Sequence, residues 1–207
     1  MCDLGLNIAM YDKQQIYNKA VESYQHAEDT ISRLDSVFRM ISGSDYEPES
    51  TLAQFDIILQ GVLLSVACSD MIFDEIEQQF IEQICVHGDL LDYIRTDSEG
   101  ELDLSWDDFA AADTEGQLKL VSVLPQVLED QCKSFVFPLI AVDISYSQYG
   151  NLPTTPGDFL RSIENDMITI ATLLAFVDDD GEPVEANTAA KMIYELVDRY
   201  WKDLIEA

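Results

Sequence analysis

The chain has 207 residues, of which 40 are acidic and 11 basic, for a formal net charge of −29. Its hydrophobic share of 47% is enough for a sizeable core and excludes a disordered acidic tail. The charge argues against nucleic acid and anionic membrane surfaces as partners and favours cations and basic protein surfaces. Acids that merely keep a surface solvated, or a halophilic source, would produce the same balance. Residues 8–42 come first and carry the clearest pattern. Ile16, Ala20, Tyr24, Ala27, Ile31, Leu34, Phe38 and Ile41 recur at threes and fours, an amphipathic helix ended by Gly43. The stripe is read as a face packed on its own domain, with self-association through 8–42 as the alternative.

After the loop "GSDYEPES", Thr51 and Gln54 have capping-box spacing and predict a helix from there to about Ser69. Its second half, "VLLSVAC", is apolar all round and predicts burial. Asp74 and Glu77 repeat the capping spacing before "EIEQQFIEQICV", a helix expected to end at Gly88. "DLLDYIR" is a short helical piece, and Ser105 with Asp108 predicts one capped turn of helix. Helical spacing resumes over 117–133, where Pro125 is expected to kink or break it. "SFVFPLIAVDISYSQYG" has strand-like β-branching but a helical context, and is read as helix. Thr155 and Pro156 predict the next helix start, which continues through "FLRSIENDMITIATLLAFV". A last amphipathic helix is expected from about Glu185 to Ile205, with Ala189, Ile193, Leu196, Val197, Tyr200 and Leu204 inward. The fold class expected is therefore all-α, built from packed helical hairpins. Residues 1–50 form a helix and loop, and 51–207 a helical domain with hairpins at about 52–86 and 157–205.

The four cysteines, Cys2, Cys68, Cys85 and Cys132, include no CxxC pair, which predicts free thiols in a reducing cytoplasm. "MCDLGLNIAMYDK" has no basic n-region or long apolar stretch, so no signal peptide is expected, and no lipobox precedes Cys2. No window reads as an uninterrupted membrane span, so no membrane insertion is expected.

The two hairpins look alike. "VLLSVACSDMIFDEIEQQFIEQI" and "ATLLAFVDDDGEPVEANTAAKMIYEL" each run from an apolar helix through an acidic turn with one apolar residue, Phe73 or Val184, into an amphipathic helix. The first resembles the signature of the TerB-like family, the tellurite-resistance proteins and their relatives. Asp70 stands at its aspartate, Phe73 at its apolar turn position and Glu77 at its glutamate, while Met71 replaces its usual glycine. The second copy keeps Asp180 and Gly181 and carries one extra residue before Val184. The resemblance implies an all-helical, non-enzymatic bacterial protein with acidic turns proposed to hold divalent cations, associated with stress-response assemblies.

Clustered carboxylates suit a hard cation, Ca²⁺ or Mg²⁺. The candidates are Asp70, Asp74 and Glu77 in the first turn, and Asp178, Asp179, Asp180, Glu182 and Glu185 in the second. The competing role for acids at a helix start is capping of free N–H groups. Phe73 is expected to point inward, with Asp74 capping the following helix. No EF-hand register fits, because Gly100, Gly116 and Gly181 would place Arg95, Ala111 and Phe176 at the first ligand position. Cys85 and His87 have no second pair to complete a zinc site. No phosphate-binding glycine loop or nucleophile–base pattern occurs. Two readings lead: a TerB-like cation-binding protein, and an acidic adaptor for a basic protein partner that needs no metal. A carboxylate-dependent enzyme is the third.

Overall fold

A computed structural model describes residues 12–42, 48–68, 73–97, 105–149 and 157–177, with 191, 195–197, 199 and 201 beyond them. Among these residues there is no strand, and the protein is all-α. The helices are α1 (Lys13–Ser42), α2 (Pro48–Ala67), α3 (Glu75–Ile84), α4 (Leu90–Asp97), α5 (Trp106–Ala110), α6 (Thr114–Tyr149) and α7 (Asp158–Leu174). α1, α2, α6 and α7 form the centre, each touching the other three, with α1 against α7 the most extensive pair. α3, α4 and α5 lie over one side: α3 meets α1, α2 and α5, α4 meets α2, and α5 meets α6.

The stripe on α1 does pack within the chain. Ile16, Ala20, Tyr24, Ala27, Ile31 and Leu34 are all buried in the common core. Asp12 starts the helix through a reciprocal box: its Oδ1 accepts from Gln15 N at 2.9 Å, and Gln15 Oε1 accepts from Asp12 N at 3.1 Å. α2 and α7, the apolar arms of the two hairpins, also touch, so both hairpins contribute to one core.

Several boundaries differ from the expected ones. α2 begins at Pro48, whose fixed φ suits a first helical turn, so Thr51 lies inside the helix and is buried. Its stretch Ser50–Ala67 is, by length and composition, apolar enough to cross a membrane, contrary to the expectation of no such window; 78% of it is buried among its neighbours. α6 is one helix over 114–149 and includes "SFVFPLIAVDISYSQY" as expected, but it also runs through Pro125 and Pro138. Pro125 is exposed and Pro138 half-buried, where solvent can take up the carbonyl each proline leaves without an N–H donor. α7 starts at Asp158 and not at Pro156; its N-cap is Gly157 at φ 89°, and residues 150–156 lie outside the described ones. The cap for α7 comes from another helix: Asp143 of α6, fully buried, accepts from Leu160 N at 3.1 Å through Oδ2. Of the last expected helix, Val197 is buried, and so is Trp201, which the expected inward face omitted. Trp201 Nε1 donates to Leu160 O at 3.4 Å, and its ring lies 5.2 Å from that of Phe135.

Candidate functional site: an acidic cleft over the α3–α4 turn

α3 begins as its sequence requires. Asp74 Oδ1 accepts from Ile76 N at 2.8 Å and Glu77 N at 2.9 Å, and Glu77 Oε2 accepts from Asp74 N at 3.1 Å. This capping box occupies two of the three candidate cation ligands of the first turn. Phe73 points inward, its ring 5.0 Å from Phe109 and 6.2 Å from Trp106, so the residue before the cap staples α3 to α5. Asp70, Asp178, Asp179, Asp180, Glu182 and Glu185 lie outside the described residues. Among the described residues no group of three His, Cys, Asp or Glu side chains is placed to hold a metal ion.

α3 stops at Ile84, earlier than Gly88, and the chain turns through residues 85–89 into α4. Gly88 has a different task from ending a helix. A β-carbon there would stand 2.3 Å from the carbonyl oxygen of Ala53, so only glycine lets the turn lie against α2. α2 also supplies the turn's hydrogen-bond partners. Asp56 Oδ2 accepts from His87 N at 2.5 Å and Gly88 N at 3.0 Å. Gln60, one helical turn on, accepts from Leu90 N at 2.6 Å and donates to Gly88 O at 2.7 Å. Asp56 Oδ1 accepts from the Tyr24 hydroxyl at 2.6 Å, which brings in α1. Burial raises the Asp56 pKa, opposed by its bonds to Tyr24, His87 and Gly88. Burial, then the Asp56 carboxylate, holds Tyr24 far above the usual phenol range, so it remains a donor.

Beside this turn opens a cleft of about 490 Å³. Its buried lining includes Gln60, Ile81, Cys85 and Trp106, and its exposed rim carries Glu82, Asp89 and Asp92 with the side chain of Val86, 66% exposed. Each rim acid has a partner. Asp89 Oδ1 caps α4 through Leu91 N and Asp92 N at 2.8 and 3.1 Å, Glu82 Oε1 accepts from Gln78 Nε2 at 3.0 Å, and Asp92 pairs with Arg95 at 2.5 Å. Gln78 Nε2 also donates to Asp107 at 3.0 Å, which ties α3 to α5 outside the cleft lining. Burial, and secondarily Asp56, pushes the Cys85 thiol well above its ordinary pKa, so it is a poor nucleophile and a poor soft-metal ligand. The cleft can therefore hold a cationic group beside an apolar one, and the one thiol among its described lining residues, Cys85, is not activated.

Asp56, Gln60 and Tyr24 were not candidates on the sequence. The signal was a polar pair four residues apart, inside the otherwise apolar "FDIILQGVLL".

Acidification should stabilise the fold. Asp56, Asp143 and Asp166 each have a pKa raised chiefly by burial. In the window between the ordinary carboxylate range and these raised values, the folded chain binds protons that the unfolded chain has released. Their favourable contribution is thus complete below the ordinary range and lost as pH rises through the folded values. Relief of net negative charge acts in the same direction. The thermal midpoint should be higher at about pH 5 than at about pH 8; a midpoint that falls over that interval would contradict these assignments.

The sequence matches no family model, no curated protein and no solved structure.

Proposed function

We propose that the chain is a non-enzymatic helical adaptor whose acidic cleft seats a basic segment of a partner protein. The observation that carries this reading is the cleft itself: the carboxylates of Glu82, Asp89 and Asp92 around a lining that includes Ile81 and Trp106, on a chain with net charge −29. A lysine or arginine side chain has both parts such a site can satisfy, an apolar stem and a cationic tip. Asp89, fixed as the cap of α4, also carries less ordering cost than a free acid. The free thiols of Cys85 and Cys132 suit the reducing cytoplasm.

A divalent cation is the second reading, favoured by five carboxylates within residues 178–185 and by the TerB-like motif of residues 66–77. In that reading Asp178, Asp179, Asp180, Glu182 and Glu185 hold Ca²⁺ or Mg²⁺, and the protein serves a bacterial stress-response assembly.

Calorimetric titration separates the two. A short peptide alternating apolar residues with arginine and lysine should bind the chelator-treated protein, and raised salt should weaken it as charges are screened. A neutral peptide of the same length should not bind. No heat from the basic peptide would end the adaptor reading. Heat from Ca²⁺ or Mg²⁺ that disappears in the Asp178→Asn/Asp180→Asn variant would favour the cation reading.

A further inference from the structure

We infer that Asp56 and Gln60 are the positioning residues of the cleft, and that Asp56 ties its wall to α1. The inference rests on the adaptor reading for its ligand, but not for its geometry. The turn over residues 85–89 belongs to neither neighbouring helix, so its polar backbone groups need partners from elsewhere. Asp56 and Gln60 provide them for His87 N, Gly88 N, Leu90 N and Gly88 O. Both side chains are buried, with Asp56 at 0% exposure, and they project from one face of α2 at i and i+4. The turn they hold leads directly into Asp89 and Asp92, two of the rim acids, and carries Val86.

The second oxygen of Asp56 gives the arrangement its reach. Tyr24 donates to it from the middle of α1, and Glu28, one helical turn further along, meets His87 Nε2 at 3.2 Å. α1 therefore grips the turn at two points, one buried and one half-exposed. A change on α1 should reach the rim without touching it. Asparagine at position 56 keeps an oxygen acceptor for the two amides and offers its NH₂ to the Tyr24 oxygen. Alanine keeps neither.

The test uses the full chain as wild type, Asp56→Asn, Asp56→Ala and Tyr24→Phe. Two readouts are taken: amide hydrogen exchange of residues 87, 88 and 90 without ligand, and affinity for the basic peptide described above. Asp56→Ala should speed exchange at residues 87 and 88 at least about tenfold relative to amides in α7, with residue 90, held by Gln60, changing less, and weaken the peptide at least about tenfold. Asp56→Asn should keep both within about threefold. Tyr24→Phe should fall between them and serves if the alanine variant does not fold. Unchanged exchange at 87 and 88 in Asp56→Ala and Tyr24→Phe would overturn the inference, as would an asparagine variant as weak as the alanine one. A wild type that ignores the peptide sinks the adaptor reading alone, since the exchange pattern still decides whether Asp56 positions the turn.

Discussion

Phe55→Ala is expected to destabilise the chain by about 3–5 kcal/mol, the range for truncating a fully buried aromatic ring. Phe55 is 0% exposed and stands in the middle of a row of rings. Its ring centre is 6.0 Å from that of Tyr24 and 6.0 Å from that of Phe135, which in turn lies 5.2 Å from Trp201. The row crosses α1, α2, α6 and the C-terminal segment, so no single helix can shift to fill the space left behind. Phe55→Leu, which keeps most of the volume, should cost under about 1.5 kcal/mol. Urea unfolding monitored by circular dichroism measures both. A loss of less than about 1 kcal/mol for the alanine variant would mean that this row does not hold the core together.

Gly88→Ala is the second large effect, and Gly61→Ala is its control. At Gly88 the new β-carbon would stand 2.3 Å from the Ala53 carbonyl oxygen, with the Ala53 carbonyl carbon and α-carbon at 3.0 Å. All three obstacles are backbone, so the turn must leave α2 and break its bonds to Asp56 and Gln60. The expected loss is about 3 kcal/mol, at the upper end of overpacking costs. At Gly61 the closest atom is Leu128 Cδ2 at 2.8 Å, the end of a side chain that can rotate. There the clash is offset by the gain of about 1 kcal/mol from replacing a helical glycine by alanine. The two variants should therefore differ by at least about 2 kcal/mol in unfolding free energy. Equal midpoints would show that the turn does not lie against α2 as described.

What could be read from the sequence was what neighbouring residues decide among themselves. The α1 stripe recurs with the helical period, and every member from Ile16 to Leu34 is buried. The boxes at Asp74–Glu77 and Ser105–Asp108 close within four residues, and both form. Thr51–Gln54 has the same spacing but sits inside α2, because Pro48 already starts the helix. Spacing alone cannot tell a first turn from a later one. Pro125 does not end its helix, since an exposed proline in a long packed helix loses one bond and keeps the packing.

The rest depended on partners far along the chain. Asp56 meets groups 31 and 32 residues away, and Asp143 caps a helix 17 residues on. No periodicity marks such pairs. A carboxylate within an apolar helix is their only trace, and its cost when buried without partners is the reason to look for them. Gly88 was visible as a glycine, but its reason lies on α2, in the Ala53 carbonyl. The cleft likewise joins α3, α4, α5 and a residue of α2, and no motif spans them.

The most direct measurement of the proposed function is amide and indole NMR shift mapping on the isotope-labelled chain, titrated with the basic peptide. The expected result is a saturable set of shifts concentrated on residues 81–92 and the Trp106 indole, lost together in a Glu82→Gln/Asp89→Asn/Asp92→Asn variant. Shifts spread evenly over the acidic surface, or a focused set elsewhere with residues 81–92 silent, would contradict a basic segment seated in this cleft.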